Sequence, residues 1–251
     1  MRATAALDDA APTAVIARDD CLKFLRSLPA ESVDVILTDP AYSGMNEHMK
    51  FGHGRIVGHY QRPGNTRWFT EFRDDAETFR VVLDECHRVL RNHRHIFVMF
   101  DSYSLLSLAP LMRERFEVKN LLVWDKVNLG MGHYFRRRHE HIVFATKGHR
   151  RLSRRDLPDV LQHRRIHRGA YPTQKPVGLF WDLLRGSVEP GFTVCDPFTG
   201  SGSTAIAALR HGCSFLGCDL SQEAVTLASD RCATFLGTGI DPLEPRFALV
   251  D

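Results

Sequence analysis

The chain has 251 residues, 33 Lys and Arg against 30 Asp and Glu, 43% apolar residues and 25% charged residues, a balance that excludes a disordered chain or a collagen-like repeat. No apolar run approaches the roughly 20 residues of a membrane span, and the N-terminus lacks the basic start and apolar middle of a signal peptide. Six cysteines with no C-x-x-C pair are too sparse for a disulfide scaffold, so reduced structural thiols, no metal site and a cytoplasmic location are expected.

The first dozen residues, 1–12, are Ala-rich and aperiodic and are expected to be a disordered tail ahead of a single domain over 13–251. Ala14–Arg18 reads as a short strand, and Cys21–Leu28 as a helix stopped by Pro29. Val33–Leu37 is a continuous apolar run with one acid in it, the pattern of a buried parallel strand, and it ends in Thr38-Asp39-Pro40. Residues 43–70 hold five glycines and no period, which predicts a long flexible loop with a functional role. Apolar positions 79, 82, 83, 86, 89 and 90 mark an amphipathic helix over Asp74–Leu90. His95–Phe100 is a strand, Ser102–Phe116 mostly helix and Lys119–Asp125 a strand. His141–Ala145 is a strand expected to run antiparallel at the sheet edge. Val177–Val188, Gly202–Arg210 and Gln222–Phe235 are helical, with strands at Thr193–Cys195 and Ser214–Cys218. Alternation of strand and helix argues a doubly wound, mostly parallel α/β sheet of Rossmann-like type.

The net charge of +3 is unevenly spread: residues 147–170 hold eight Lys and Arg against Asp156 and Asp159, which leaves about −3 for the rest. Concentrated positive charge suits a polyanion partner.

Two strand-end loops carry chemistry. Asp196-Pro197-Phe198-Thr199-Gly200-Ser201-Gly202-Ser203-Thr204 joins a strand to a helix, so its glycines let backbone approach a ligand and the helix end offers N–H groups to an anion. Asp219 closes the next strand, where an acid suits the ribose hydroxyls of a nucleoside cofactor. Asp39-Pro40-Ala41-Tyr42 ends the other strand. Its carboxylate and the Pro40 carbonyl can accept both hydrogens of an exocyclic amine, while the Tyr42 ring stacks on the base.

Together these residues resemble the amino-group DNA methyltransferases that use S-adenosylmethionine, in their circularly permuted β group. Asp39-Pro40-Ala41-Tyr42 is similar to that family's catalytic motif, with Ala41 in place of a second proline. Tyr171-Pro172-Thr173-Gln174-Lys175-Pro176 leading into Asp196–Gly202 resembles its cofactor block, and Trp124-Asp125-Lys126 and Arg138-His139-Glu140-His141 its intervening landmarks. The likeness spans about Ala17 to Ala233. It implies that Asp39, Pro40 and Tyr42 are catalytic, and that S-adenosylmethionine contacts Asp20, Asp39, Thr173, Lys175, Asp196, Phe198, Gly200, Gly202, Ser203, Thr204 and Asp219. It implies double-stranded DNA as partner, with a flipped base, and Asp39 at the first motif position favours adenine N6 over cytosine N4. A cysteine-dependent attack at a cytosine ring carbon is excluded by the lack of any Pro-Cys dipeptide. The family places target recognition where this chain has 147–170, which implies DNA contacts from Arg150, Arg151, Arg154, Arg155, Arg164, Arg165 and Arg168. A homodimer and residence with prokaryotic or phage DNA in the cytoplasm, at the nucleoid, complete the expectation. Transfer to RNA or a protein amide, or cofactor binding without transfer, are the other classes.

Overall fold

The structure is a computed structural model that describes residues 11–40, 42, 75–130, 134–167, 169–171 and 173–244. The loop expected over 43–70, and all of the 1–12 tail but Ala11 and Pro12, lie outside these.

Eight strands form one sheet in the order β1-β8-β7-β2-β3-β5-β4-β6, with β1 Ala14–Arg18, β2 Val33–Thr38, β3 Leu90–Phe100, β4 Glu117–Asp125, β5 His139–Lys147, β6 Val160–Gln162, β7 Thr193–Asp196 and β8 Ser214–Asp219. All neighbours pair in parallel except β5, which runs against both β3 and β4. This reversed strand is therefore interior, and the edge beyond it is β6, a strand inside the basic stretch that alternation alone did not reveal. Its three residues are too few to show a period.

The helices are α1 Cys21–Ser27, α2 Ala76–Val89, α3 Ser102–Ser107, α4 Val177–Leu184, α5 Ser203–Arg210 and α6 Gln222–Thr238. The helix expected over Ser102–Phe116 breaks after α3 into a 3-10 turn, Ala109–Glu114, because Pro110 removes an N–H and opposes continuation. One buried cluster gathers α1 and α2 on one sheet face, with Phe24, Leu83, Ile36 and Val98. The other gathers α4, α5 and α6, with Phe180, Ile206, Leu37 and Phe235. Alternate β2 side chains serve the two faces, so a run buried on both sides has to be apolar throughout. Its one acid, Asp34, is compensated: it accepts from Arg91 at 2.6 Å, Arg94 at 3.0 Å and the Thr193 amide at 3.0 Å.

Chain order fixes where a ligand can enter. β2 leads into α2 on one face, and β7 into α5 on the other, so the connections diverge between these adjacent strands and leave a crevice beyond their carboxyl ends. All six cysteines are buried and unbridged, and burial pushes Cys21, Cys213 and Cys232 up to about 12. No described helix is long and apolar enough to cross a membrane.

Candidate active site

At that crevice, Thr38 at the end of β2 donates to Asp196 at the end of β7 across 2.8 Å. Asp196 also accepts from the Phe198 amide at 3.0 Å and Thr204 Oγ1 at 2.7 Å, and Thr199 Oγ1 donates to its carbonyl at 3.0 Å. Burial raises its carboxyl to about 6 against these hydrogen bonds. One buried acid thus ties the first turn of the glycine loop to both strands.

The cleft is lined by Asp39, Thr173, Lys175, Asp196, Phe198, Gly200, Ser203 and Thr204 among the expected residues, with Phe180, Thr199 and Ser201 besides. A Cβ on Gly200 would meet nothing closer than the Tyr171 ring at 3.8 Å, so the loop backbone borders open space. α5 starts at Gly202 with no side chain capping it, which leaves its first turn to a ligand or water. Hydroxyls, an aromatic wall, a lysine and an uncapped helix start suit a ligand with a carboxylate and an apolar body.

Three expected cofactor residues stand outside this lining. Gly202 has φ +80°, and its missing Cβ leaves room for Ala228 of α6, which a Cβ would meet at 2.9 Å. It allows close helix packing rather than ligand approach. Asp219 lies at the same edge, accepting from the Gly200 amide at 3.0 Å and the Ser221 amide at 2.9 Å, with its carboxyl raised by burial. Asp20 caps α1 through Leu22 and Lys23, beside the Asp19–Asp219 backbone bond at 3.2 Å. The cap engages one of its carboxylate oxygens, Oδ1.

Asp39 is hydrogen-bonded to Lys175, whose ammonium is also 3.9 Å from Glu140; Glu140 in turn pairs with Lys126. Charges alternate along Asp39, Lys175, Glu140 and Lys126. Burial raises Asp39 above the ordinary carboxylate range despite Lys175. Burial would lower Lys175, but Asp39 and Glu140 outweigh it and raise it; for Glu140, Lys175 and Lys126 overcome burial and hold it low. Lys126 and Glu140 were legible in the sequence only as landmarks without a role.

The Tyr42 ring is not presented to a base in this structure. It is 1% exposed, stacks on Phe100 at 5.5 Å and donates from its hydroxyl to the Met99 carbonyl at 3.0 Å. The Pro40 carbonyl accepts from the Tyr42 amide at 3.0 Å, which leaves it a second lone pair for an amine.

Behind the glycine loop, Arg231 is 1% exposed and holds Asp241 through two bonds of 2.8 and 2.6 Å, the Ser201 carbonyl at 3.0 Å and Ser203 Oγ at 3.1 Å. The sequence offered one signal for this brace: Arg231 falls on the buried stripe of α6 with Ala224, Ala228 and Phe235.

The basic stretch leaves the sheet as two runs of arginine. β5 runs downward, so Arg150, Arg151, Arg154 and Arg155 emerge at the amino ends of the parallel strands. The Arg150 carbonyl contacts His95 Nε2 there at 3.1 Å, and Ser153 bonds Gly186. Arg150 pairs with Glu189 and Arg154 with Asp156, both at 2.6 Å. β6 then carries the chain back, and Gln162 lies opposite Asp125 at the catalytic edge. Only exposed Arg164 and Arg165 follow at that edge, while Arg168 lies outside the described residues. Ion pairs link the two groups: Asp156, held by Arg154, lies 3.6 Å from Arg185, and Arg185 lies 3.4 Å from Asp182, which meets His163 Nε2 at 2.8 Å beside Arg164.

A family described as DNA methylase, of the N6/N4 type, matches residues 33–230. YubD of Escherichia coli (strain K12), a methylase by name, is 31% identical over 85% of this chain and 88% of its own length. The DNA adenine methyltransferase YhdJ of the same organism is 24% identical over 86% of this chain and 81% of its own. In fold, the chain is similar to the M1.HpyAVI–SAM complex, with TM-score 0.62 and 18% identity over 87% of this chain and 100% of that one. The chain belongs to the S-adenosylmethionine-dependent amino-group DNA methyltransferases.

Proposed function

We propose that this protein methylates adenine N6 in double-stranded DNA, with Asp39 and the Pro40 carbonyl receiving the amine of a base drawn out of the duplex. The observation that carries the reading is that Asp39 shares one cleft with Thr173, Lys175, Ser203, Thr204 and the glycine loop. An amine acceptor and a cofactor cradle are thereby within one small volume.

S-adenosylmethionine supplies an electrophilic methyl group on a sulfonium. The chain's residues aim a weak nucleophile at it. The amine lone pair is conjugated with the base, and hydrogen bonds from its N–H groups to Asp39 and Pro40 favour a pyramidal nitrogen while stabilising its developing positive charge. Lys175, Ser203, Thr204 and the start of α5 would hold the cofactor's carboxylate side, and Phe198 its apolar body. Asp219, with Asp20 at the neighbouring strand end, would hold the ribose and adenine. Tyr42 would stack on the base only after its ring leaves Phe100. The adenine reading rests on Asp39 at the first motif position and on the similarity to YhdJ.

A single domain over 13–251, a homodimer and work at the nucleoid in the cytoplasm belong to the same reading. The short recognition segment supports pairing of two chains, and a monomer mass that stays constant with concentration would count against it. A labelled-methyl assay on native DNA, followed by nucleoside analysis, tests the main proposal: label in N6-methyladenine supports it, and label in N4-methylcytosine, RNA or protein alone refutes it.

A further inference from the structure

The connection between β4 and β5 presents Tyr134 and Phe135 at 95% and 103% exposure, more than any other large apolar side chain among the described residues. Water-exposed aromatics of this size suit a partner. Their support is firmly built. The Lys126 amide donates to the Arg138 carbonyl at 2.9 Å, the Gly130 amide to the Arg137 carbonyl at 2.7 Å and Arg136 Nε to the Gly130 carbonyl at 2.8 Å. Arg138 grips Asp125 through two bonds of 2.7 Å, and Asp125 also receives the Val127 amide at 2.8 Å. Val127 sits at φ +65°, a conformation costly for a β-branched residue and held by those bonds.

Position and charge choose the partner. Phe135 is five residues from Glu140, whose carboxylate is 3.9 Å from the Lys175 ammonium bonded to Asp39. Five extended residues reach about 17 Å, so the aromatic tip stands beside the catalytic edge. Arg136 and Arg137 follow directly, with exposed Arg164 and Arg165 at the same edge. The nearby acids Asp125 and Glu140 are already matched by Arg138 and Lys126. A cationic rim around a bare aromatic tip is complementary to a phosphate backbone with stacked bases between its strands.

We propose that Phe135, with Tyr134 beside it, is the wedge that enters the base stack of duplex DNA as the target base leaves for Asp39. This rests on the proposed DNA reaction. A base drawn out of a duplex leaves an unstacked gap, and an aromatic side chain inserted there offsets that loss. The rim arginines hold the flanking phosphates and keep the tip at the gap.

The test compares wild type, Phe135→Ala and Phe135→Trp, as full chains, in labelled-methyl transfer to native plasmid DNA and to the same DNA heat-denatured. Phe135→Ala should lose about 10- to 100-fold on native duplex and change less than about threefold on single strands, while Phe135→Trp stays within about threefold on both. If wild type acts on duplex alone, the loss should appear in kcat, with KM moving less than about threefold; a rise in KM alone overturns the wedge. Equal rates for Phe135→Ala and wild type on duplex, or equal losses on both substrates, also overturn it. A wild type inactive on either DNA overturns the DNA reaction itself, and the wedge with it.

Discussion

Lys175 donates to Asp39 at the mouth of the cleft, so the carboxylate assigned to the substrate amine is held by the lysine assigned to the cofactor. The contact couples the two halves of the site. Burial raises the Asp39 carboxyl, and Lys175 opposes that rise. The ionised carboxylate is the stronger acceptor for the amine N–H and better stabilises its developing positive charge, so kcat should increase with pH through an apparent value above the ordinary carboxylate range. Removing the cation in Lys175→Met should move that limb further up in pH. A profile with an unmoved limb would show that the pair does not set the charge on Asp39.

Arg231 and Asp241 form a pair at 1% and 0% exposure that also holds the Ser201 carbonyl. Arg231→Ala leaves a buried carboxylate without its partner, which costs about 3–5 kcal/mol. Urea denaturation should register that loss, and the double change Arg231→Met with Asp241→Leu should recover much of it. A single variant within about 1 kcal/mol of wild type would mean that the pair does not brace the loop.

The two arginine groups should separate in a salt titration of DNA binding. Arg164→Ala with Arg165→Ala should flatten the slope of log K against log salt by up to about two units, while Arg154→Ala with Arg155→Ala should leave it unaltered. The reverse result would place DNA on the edge opposite the cleft.

His95 is fully buried between Ser187 Oγ at 2.9 Å and the Arg150 carbonyl at 3.1 Å, and burial lowers it to about 4. Its neutral form is favoured in the folded state, so its stabilisation is present above the ordinary value of 6.5 and is lost as pH falls towards about 4. Asp196, raised to about 6, acts in the opposite sense, because the folded state then binds its proton more tightly. The comparison isolates His95: the stability of wild type relative to His95→Gln should fall by up to roughly 3 kcal/mol over that window. A pH-independent difference would show that His95 does not titrate differently on folding.

Strand and helix positions were legible because each β-run is apolar where both sheet faces bury it, and because Pro29, Gly202 and Asp219 mark ends. The direction of β5 was legible, but its interior place was not, since β4 folds beyond it and the three-residue β6 that forms the edge is too short to show a period. Asp39 and the glycine loop could be read as a site from local residue types alone. The links from Lys175 to Glu140, and from Arg231 to Ser201, could not, because they join residues 35 and 30 apart that only folding brings together. Tyr42 was legible as an aromatic at the site; its packing on Phe100 depends on a ring contributed by β3.

The decisive measurement is transfer of labelled methyl to native DNA by Asp39→Ala, with S-adenosylmethionine binding measured on the same preparation. Transfer should drop by at least about 10²–10³-fold, while cofactor affinity weakens only modestly. More than about a tenth of wild-type transfer with cofactor still bound would contradict the assignment of Asp39 as the acceptor of the substrate amine.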